Sequence, residues 1–102
     1  DPETYEEKAA AKHFIPKAAE VLQILVNKIS EIEPFSKDSL DALFHACAFD
    51  TGSQIGELVH PARLAVSGVS FGPGLFEMME ILGKETVVRR IRKAIDKIAD
   101  NK

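Results

Sequence analysis

The sequence predicts an all-α protein, a compact bundle or cage of five to six short helices. Three observations lead there. Every segment of useful length carries its apolar residues at helical spacing. No stretch alternates polar and apolar residues as a half-buried strand would. Proline, glycine and hydroxyl residues fall at short intervals, where they start and stop helices. The unequal lengths of the predicted helices favour an irregular cage over a regular four-helix bundle.

The first helix is expected at Thr4–Phe14, opened by Thr4-x-x-Glu7 as a capping box. Its face is mostly alanine and charge, so it packs weakly by itself. Pro16 fits the first turn of a second helix that runs to about Ile32. Val21, Leu22, Leu25, Ile29 and Ile32 form its inward stripe. Glu33-Pro34 ends it, because the residue before proline disfavours the helical region. Ser36 caps a third helix over about Lys37–Phe49, with Leu40, Leu43, Phe44 and Cys47 inward. Residues 50–53, Asp-Thr-Gly-Ser, read as a turn. A short helix is expected around Gln54–Leu58, and Pro61 then opens a separate segment, Pro61–Ser67. There Leu64 and Val66 face inward, and Gly68 suits a left-handed stop. A fifth helix, Leu75–Leu82, buries Leu75, Met78, Met79 and Leu82, and Gly83 ends it. The last runs from Lys84 to about Asp100, burying Val87, Val88, Ile91, Ala94, Ile95 and Ile98.

At 102 residues the chain is long enough for one domain with one core, here residues 1–102 with 1–15 as a leading segment. The first residue is Asp1, not Met, as expected of a fragment of a larger protein. Apolar residues make up 45% and charged residues 28%, too apolar a balance for disorder. No run approaches the ~18–20 apolar residues needed to cross a bilayer, so no membrane role is expected. The start is polar and unlike a secretory leader. Cys47 is the single cysteine, which excludes an internal disulfide and a cysteine zinc cluster. It sits in an apolar helical pattern and reads as a buried thiol. A reducing, cytoplasmic compartment is expected.

The net charge of −3 argues against a free-standing nucleic-acid binder, but the charge is unevenly placed. Residues 1–41 carry a net −4, residues 42–83 a net −3, and residues 84–102 a net +4. Arg63 is the only cation between Lys37 and Lys84.

Most catalytic chemistry finds no footing, and no catalytic residue or metal site is assigned. His13, His45 and His60 are far apart in sequence, and none has a partner at ligand spacing beyond Asp41 near His45. No serine has a nucleophile-elbow setting, and Cys47 has no evident base. Glu77 and Glu80 share a helix face, where an exposed helix side explains them more simply than acid–base work.

The informative stretch is residues 60–92, HPARLAVSGVSFGPGLFEMMEILGKETVVRRIR. Arg63 stands alone on a short helical run ending at Gly68. Pro73 fits a first helical position, leaving the amides of Gly74, Leu75 and Phe76 open to a phosphate oxygen or a base acceptor. A plain tight turn is the competing reading. Arg63 is either a solvated or ion-paired arginine, or a guanidinium that pairs with and stacks on an unstacked base. Arg89, Arg90, Arg92 and Lys93 form a charged helix face. It serves either solubility or sequence-independent phosphate contact.

These residues resemble the last domain of bacterial glutamyl-tRNA synthetases. DPETYEEKAAAKHF is similar to the segment leading into that domain. HPARLAVSG is similar to the family's Pro-x-Arg-(hydrophobic)-Ala-(hydrophobic)-Thr-Gly motif. FGPGLFEMMEILGKE is similar to its Pro-x-Leu-Phe-Glu…Leu-Gly-Lys-Glu motif, and VVRRIRKAI to its closing helix. The resemblance covers nearly the whole chain, and its second half is the specific part. It implies an all-helical domain of a class I glutamate–tRNA ligase that reads the first and middle anticodon bases of tRNA(Glu). By position in the motifs, Arg63 would contact the middle base, while Gly72, Pro73 and Leu75 would also touch the anticodon. Ser67 stands where threonine is common. Gly72 stands where some members carry a hydroxyl, so contact there would use backbone. The resemblance also implies that ATP and Mg belong to the catalytic domain of the parent, since the His-Ile-Gly-His-like and Lys-x-Ser-Lys-like signatures are absent here. No cofactor is expected in this chain. Its partners would be the anticodon loop and the remaining synthetase domains. The reading from a different class is a helical protein-interaction or scaffolding module without RNA specificity.

Overall fold

A computed structural model describes Tyr5, residues 7–68 and residues 74–100; for Ala9 and Asp100 it describes the backbone alone. Six helices follow in order: α1 (Glu7–His13), α2 (Pro16–Ile29), α3 (Lys37–Thr51), α4 (Ile55–Ser67), α5 (Leu75–Leu82) and α6 (Lys84–Asp100). No strand occurs among the described residues.

The helices begin and end where elementary chemistry places them. Pro16 occupies the first turn of α2, where a missing N–H costs nothing. Ser36 Oγ accepts the Ser39 N–H at 3.2 Å and caps α3. Gly52 (φ 67°) and Gly68 (φ 82°) take left-handed backbone at the ends of α3 and α4. At Gly68 the expected stop is therefore seen. α5 and α6 carry the expected bounds, separated by Gly83 alone.

Four boundaries differ from expectation, one of them the end of α3, which runs on to Thr51 through the first half of the expected turn at residues 50–53. α1 begins at Glu7, and the expected cap at Thr4 lies outside the described residues. α2 stops at Ile29, not Ile32. The chain beyond it tightens into three-residue turns, Glu31 N–H to Lys28 O and Ile32 N–H to Ile29 O, ahead of a cis Glu33–Pro34 peptide. Pro61 does not divide the fourth region into two. One continuous helix runs through it. The proline removes one main-chain bond. That loss is offset because Leu58, Pro61, Ala62, Leu64, Ala65 and Val66 are all buried.

α4 is thus the central helix, wrapped by α1, α2, α3, α5 and α6. α2 and α6 form the most extensive packing pair. Val21, Leu22, Leu25 and Ile29 of α2 and Val87, Ile91, Ala94 and Ile98 of α6 are buried as their spacing requires. Ile32, Leu43, Met78, Leu82, Val88 and Ile95 are only partly buried and pack on the rim of the core. Phe44 is fully buried, and its ring meets Phe76 edge-on at 4.9 Å. That contact and the Lys37–Glu77 pair (3.0 Å) join α3 to α5.

Phe44→Ala removes the largest fully buried side chain and leaves Phe76 without its partner. Urea unfolding should show a loss of about 3–5 kcal/mol at unchanged slope.

Candidate nucleic-acid interface

The last two turns of α4 are buried on nearly every side. Between Pro61 and Val66 only Arg63 reaches the surface, half-buried. With His60 and Ser67 it forms a narrow outer stripe at i, i+3 and i+7 of the helix. A helix that buries Pro61, Ala62, Leu64, Ala65 and Val66 cannot rotate to hide the arginine, so the guanidinium is held at the edge of the core.

The chain around Arg63 is pinned. Ser67 Oγ donates to the Arg63 carbonyl at 2.7 Å, and the Gly68 N–H donates to Leu64 O at 2.8 Å. Arg90 Nη1, from α6, donates to the Val66 carbonyl at 2.8 Å. The next residues, 69–73, lie outside the described part, and with them Gly72 and Pro73. The chain resumes at Gly74, which caps α5, and the first helical residue is Leu75. The helix therefore starts at Leu75 as its expected bounds have it, and Leu75, not Pro73, takes the first helical position. The first main-chain bond of α5 runs from the Met78 N–H to Gly74 O at 3.0 Å. Helix geometry leaves the amides of Leu75, Phe76 and Glu77 without partners inside α5. The Leu75 side chain is 3% exposed and packs in the core, so only its main chain can meet a ligand.

An acidic side chain lies against this helix start. A Cβ placed on Gly74 would lie 3.8 Å from Glu77 Oε1. The Glu77 carboxylate thus folds back over the first turn of α5 while also pairing with Lys37. An acidic group already satisfies the positive end of the helix dipole. The Lys37 ammonium, 3.0 Å from that carboxylate, balances its charge.

Glu80 completes the arrangement. Its carboxylate accepts the main-chain N–H of Lys37 at 3.0 Å. Glu77 and Glu80, adjacent on one face, serve the first turn of α3 and not proton transfer.

The basic α6 divides its cations between two tasks. Lys84 Nζ donates to Ile32 O at 2.6 Å, in the turn after α2, and Arg90 donates to Val66 O at the end of α4. Arg89, Arg92 and Lys93 are exposed. With Lys84, Ser30 and Val88 they line an open groove of about 790 Å³, where Glu85 and Asp96 offset part of the positive charge. Of the four candidate phosphate residues, Arg90 is the one turned inward.

Two histidines distant in sequence meet across α1 and α4. The His13 and His60 rings stack with centroids 5.0 Å apart. Burial first, then the neighbouring His60 and Lys12 charges, hold His13 below its ordinary value of 6.5. His45 pairs with Asp41 at 2.7 Å on the surface, as the spacing suggested. No cluster of three or more His, Cys, Asp or Glu side chains suited to a metal occurs among the described residues. Cys47 is 1% exposed, and burial pushes its thiol up. No helix among the described residues is long and apolar enough to cross a membrane.

The profile of the anticodon binding domain family matches residues 1–95. The chain belongs to that family. It is 42% identical over 98 residues to the glutamate–tRNA ligase of Prosthecochloris aestuarii, covering 96% of this chain and 20% of that protein. It is 45% identical over 93 residues to glutamate–tRNA ligase 2 of Thermoanaerobacter pseudethanolicus, covering 90% and 19%. Its fold is similar to a glutamate tRNA ligase structure from Elizabethkingia meningosepticum, with a TM-score of 0.91 and 34% identity over 95% of this chain and 19% of that one. The chain spans about a fifth of the length of the curated relatives it matches. The all-α anticodon-binding domain is the fold expected from the sequence.

Sequence reasoning missed two features of this domain. The Arg90–Val66 bond joins residues 24 apart, with no local signal for it. The His13–His60 stack joins α1 to α4, and only the isolated positions of the histidines hinted at it.

His13 binds protons more weakly in the folded domain than in the unfolded chain, so the unfolded state gains protons first as pH falls. Stability should decrease as pH drops below 6.5 toward the lowered folded value, and level off beneath it. Thermal melts of wild type and His13→Asn across that window check this; the variant should have the flatter profile.

Proposed function

We propose that this domain reads the first and middle anticodon bases of tRNA(Glu), as the C-terminal domain of a glutamate–tRNA ligase. The observation that carries the reading is Arg63, held at the surface by a helix otherwise buried around it and little more than one turn before Gly68. A guanidinium so fixed presents a planar donor fork to a base edge and a flat face for stacking. Arg63 takes the middle base. The main chain from Gly72 through Pro73 to Leu75 takes the neighbouring one, with the Leu75 amide, not its buried side chain, as donor. Ligation of glutamate, with its ATP and Mg, belongs to other domains of the parent, which acts in the cytoplasm. Arg89, Arg92 and Lys93 hold backbone phosphates of the loop strand, an interaction that carries no sequence information.

Binding of the domain to a tRNA(Glu) anticodon stem-loop, beside one with the middle base changed, tests this at low salt. Wild type should prefer the native loop. Arg63→Ala should lose that preference, at a cost of about 1–3 kcal/mol of discrimination. Equal binding to both loops by wild type would reduce Arg63 to a general cation. Absence of binding to either would leave the domain as a helical interaction module.

Arg92→Gln should weaken both loops alike. The slope of log K against log salt should flatten by about 0.7, the value for one single-strand phosphate that the protein no longer neutralises.

A further inference from the structure

We infer that Arg90 is a positioning residue for base discrimination, acting through the end of α4 and not through phosphate. The inference rests on the anticodon reading proposed above. The last carbonyls of a helix have no donor within it. In α4 the Gly68 N–H serves Leu64, and Arg90 serves Val66 from another helix. Val66 is fully buried, so its carbonyl cannot turn to bulk water without opening the core. A donor from the protein is needed there.

Arg90 can supply it with fixed geometry. Its neighbours Val87, Ile91 and Ala94 are fully buried, which fixes its Cα. The guanidinium is planar and charged at all working pH values, and a charged donor makes a stronger bond than a neutral one. Val66 lies three residues after Arg63 and two before Gly68. The bond therefore fixes the last turn of α4, and with it the direction in which Arg63 leaves the helix. Ser67, bonded to the Arg63 carbonyl at 2.7 Å, secures the same turn from the other side. A bidentate base contact depends strongly on orientation, so loosening this turn should harm discrimination more than general affinity.

The test uses the whole 102-residue chain with native and middle-base-changed stem-loops at several salt concentrations, for wild type, Arg90→Met, Arg90→Lys and Arg63→Ala. Methionine keeps much of the side-chain length and removes the donor. The expected result for Arg90→Met is a fall of the native-to-changed affinity ratio toward one. Binding of the changed loop and the salt slope should stay as in wild type. Amide NMR shifts should move at Ser67 and Gly68 while the spectrum of α2 is retained. Arg90→Lys should fall between wild type and Arg90→Met in the ratio.

A ratio unchanged in Arg90→Met would overturn the inference. So would an equal loss for both loops with a slope reduced by about 0.7, which marks a phosphate ligand. If Arg90→Met does not fold, Arg90→Lys decides: a lowered ratio supports positioning, and a wild-type ratio sinks it. A ratio unaffected by Arg63→Ala would instead break the anticodon reading, independently of Arg90.

Discussion

Helix ends need donors for their last carbonyls; local amides and hydroxyls supply most of them, and the last turn of α4 takes one from a different helix. α6 sends Lys84 to Ile32, beyond α2, and Arg90 to Val66, at the end of α4. Its apolar stripe meanwhile packs into the core beside α2. Burial and hydrogen bonding therefore act along the same element. The stripe places α6, and its placement brings two cations to two carbonyls. A basic helix that appeared divided between solubility and phosphate binding has a third use, intramolecular capping.

The same economy of charge governs the other end of the site. Lys37 begins α3 and meets both acidic residues of α5: its ammonium pairs with Glu77 and its amide with Glu80. These exposed interactions are individually weak. Their consequence is local electrostatics, since the Glu77 carboxylate lies against the start of α5. The exposed cations lie elsewhere, on the outer face of α6, where Arg89, Arg92 and Lys93 line an open groove. A net charge of −3 is thus unevenly distributed over the domain.

α4 shows how packing overrides a local rule. Pro61 reads as a helix start, yet the helix continues through it. One missing bond is small against the burial of Leu58, Ala62, Leu64, Ala65 and Val66 in the middle of the bundle. The small residues Ala62 and Ala65 matter here because they let α2, α3 and α6 approach. Exposure is then confined to a narrow stripe, and Arg63 lies on it.

Much of this was legible in the residues themselves. Helical spacing, Ser36 and Gly68 as caps, and the Leu75–Leu82 and Lys84–Asp100 bounds follow from local preferences, because each depends on neighbours within one turn. The Arg63 and Gly-Pro-Gly motifs were legible as a resemblance for the same reason: short, ordered patterns survive in sequence. What only the tertiary structure decided involves partners far apart in the chain. The continuity of α4 depends on helices packed around it, the role of Arg90 on a carbonyl 24 residues away, and the stacking of His13 on His60 on the docking of α1. Local sequence sets where a helix can form. The unmet donors, acceptors and apolar faces it leaves are satisfied across the fold, and those distant partners determine which cations are held inside and which face outward.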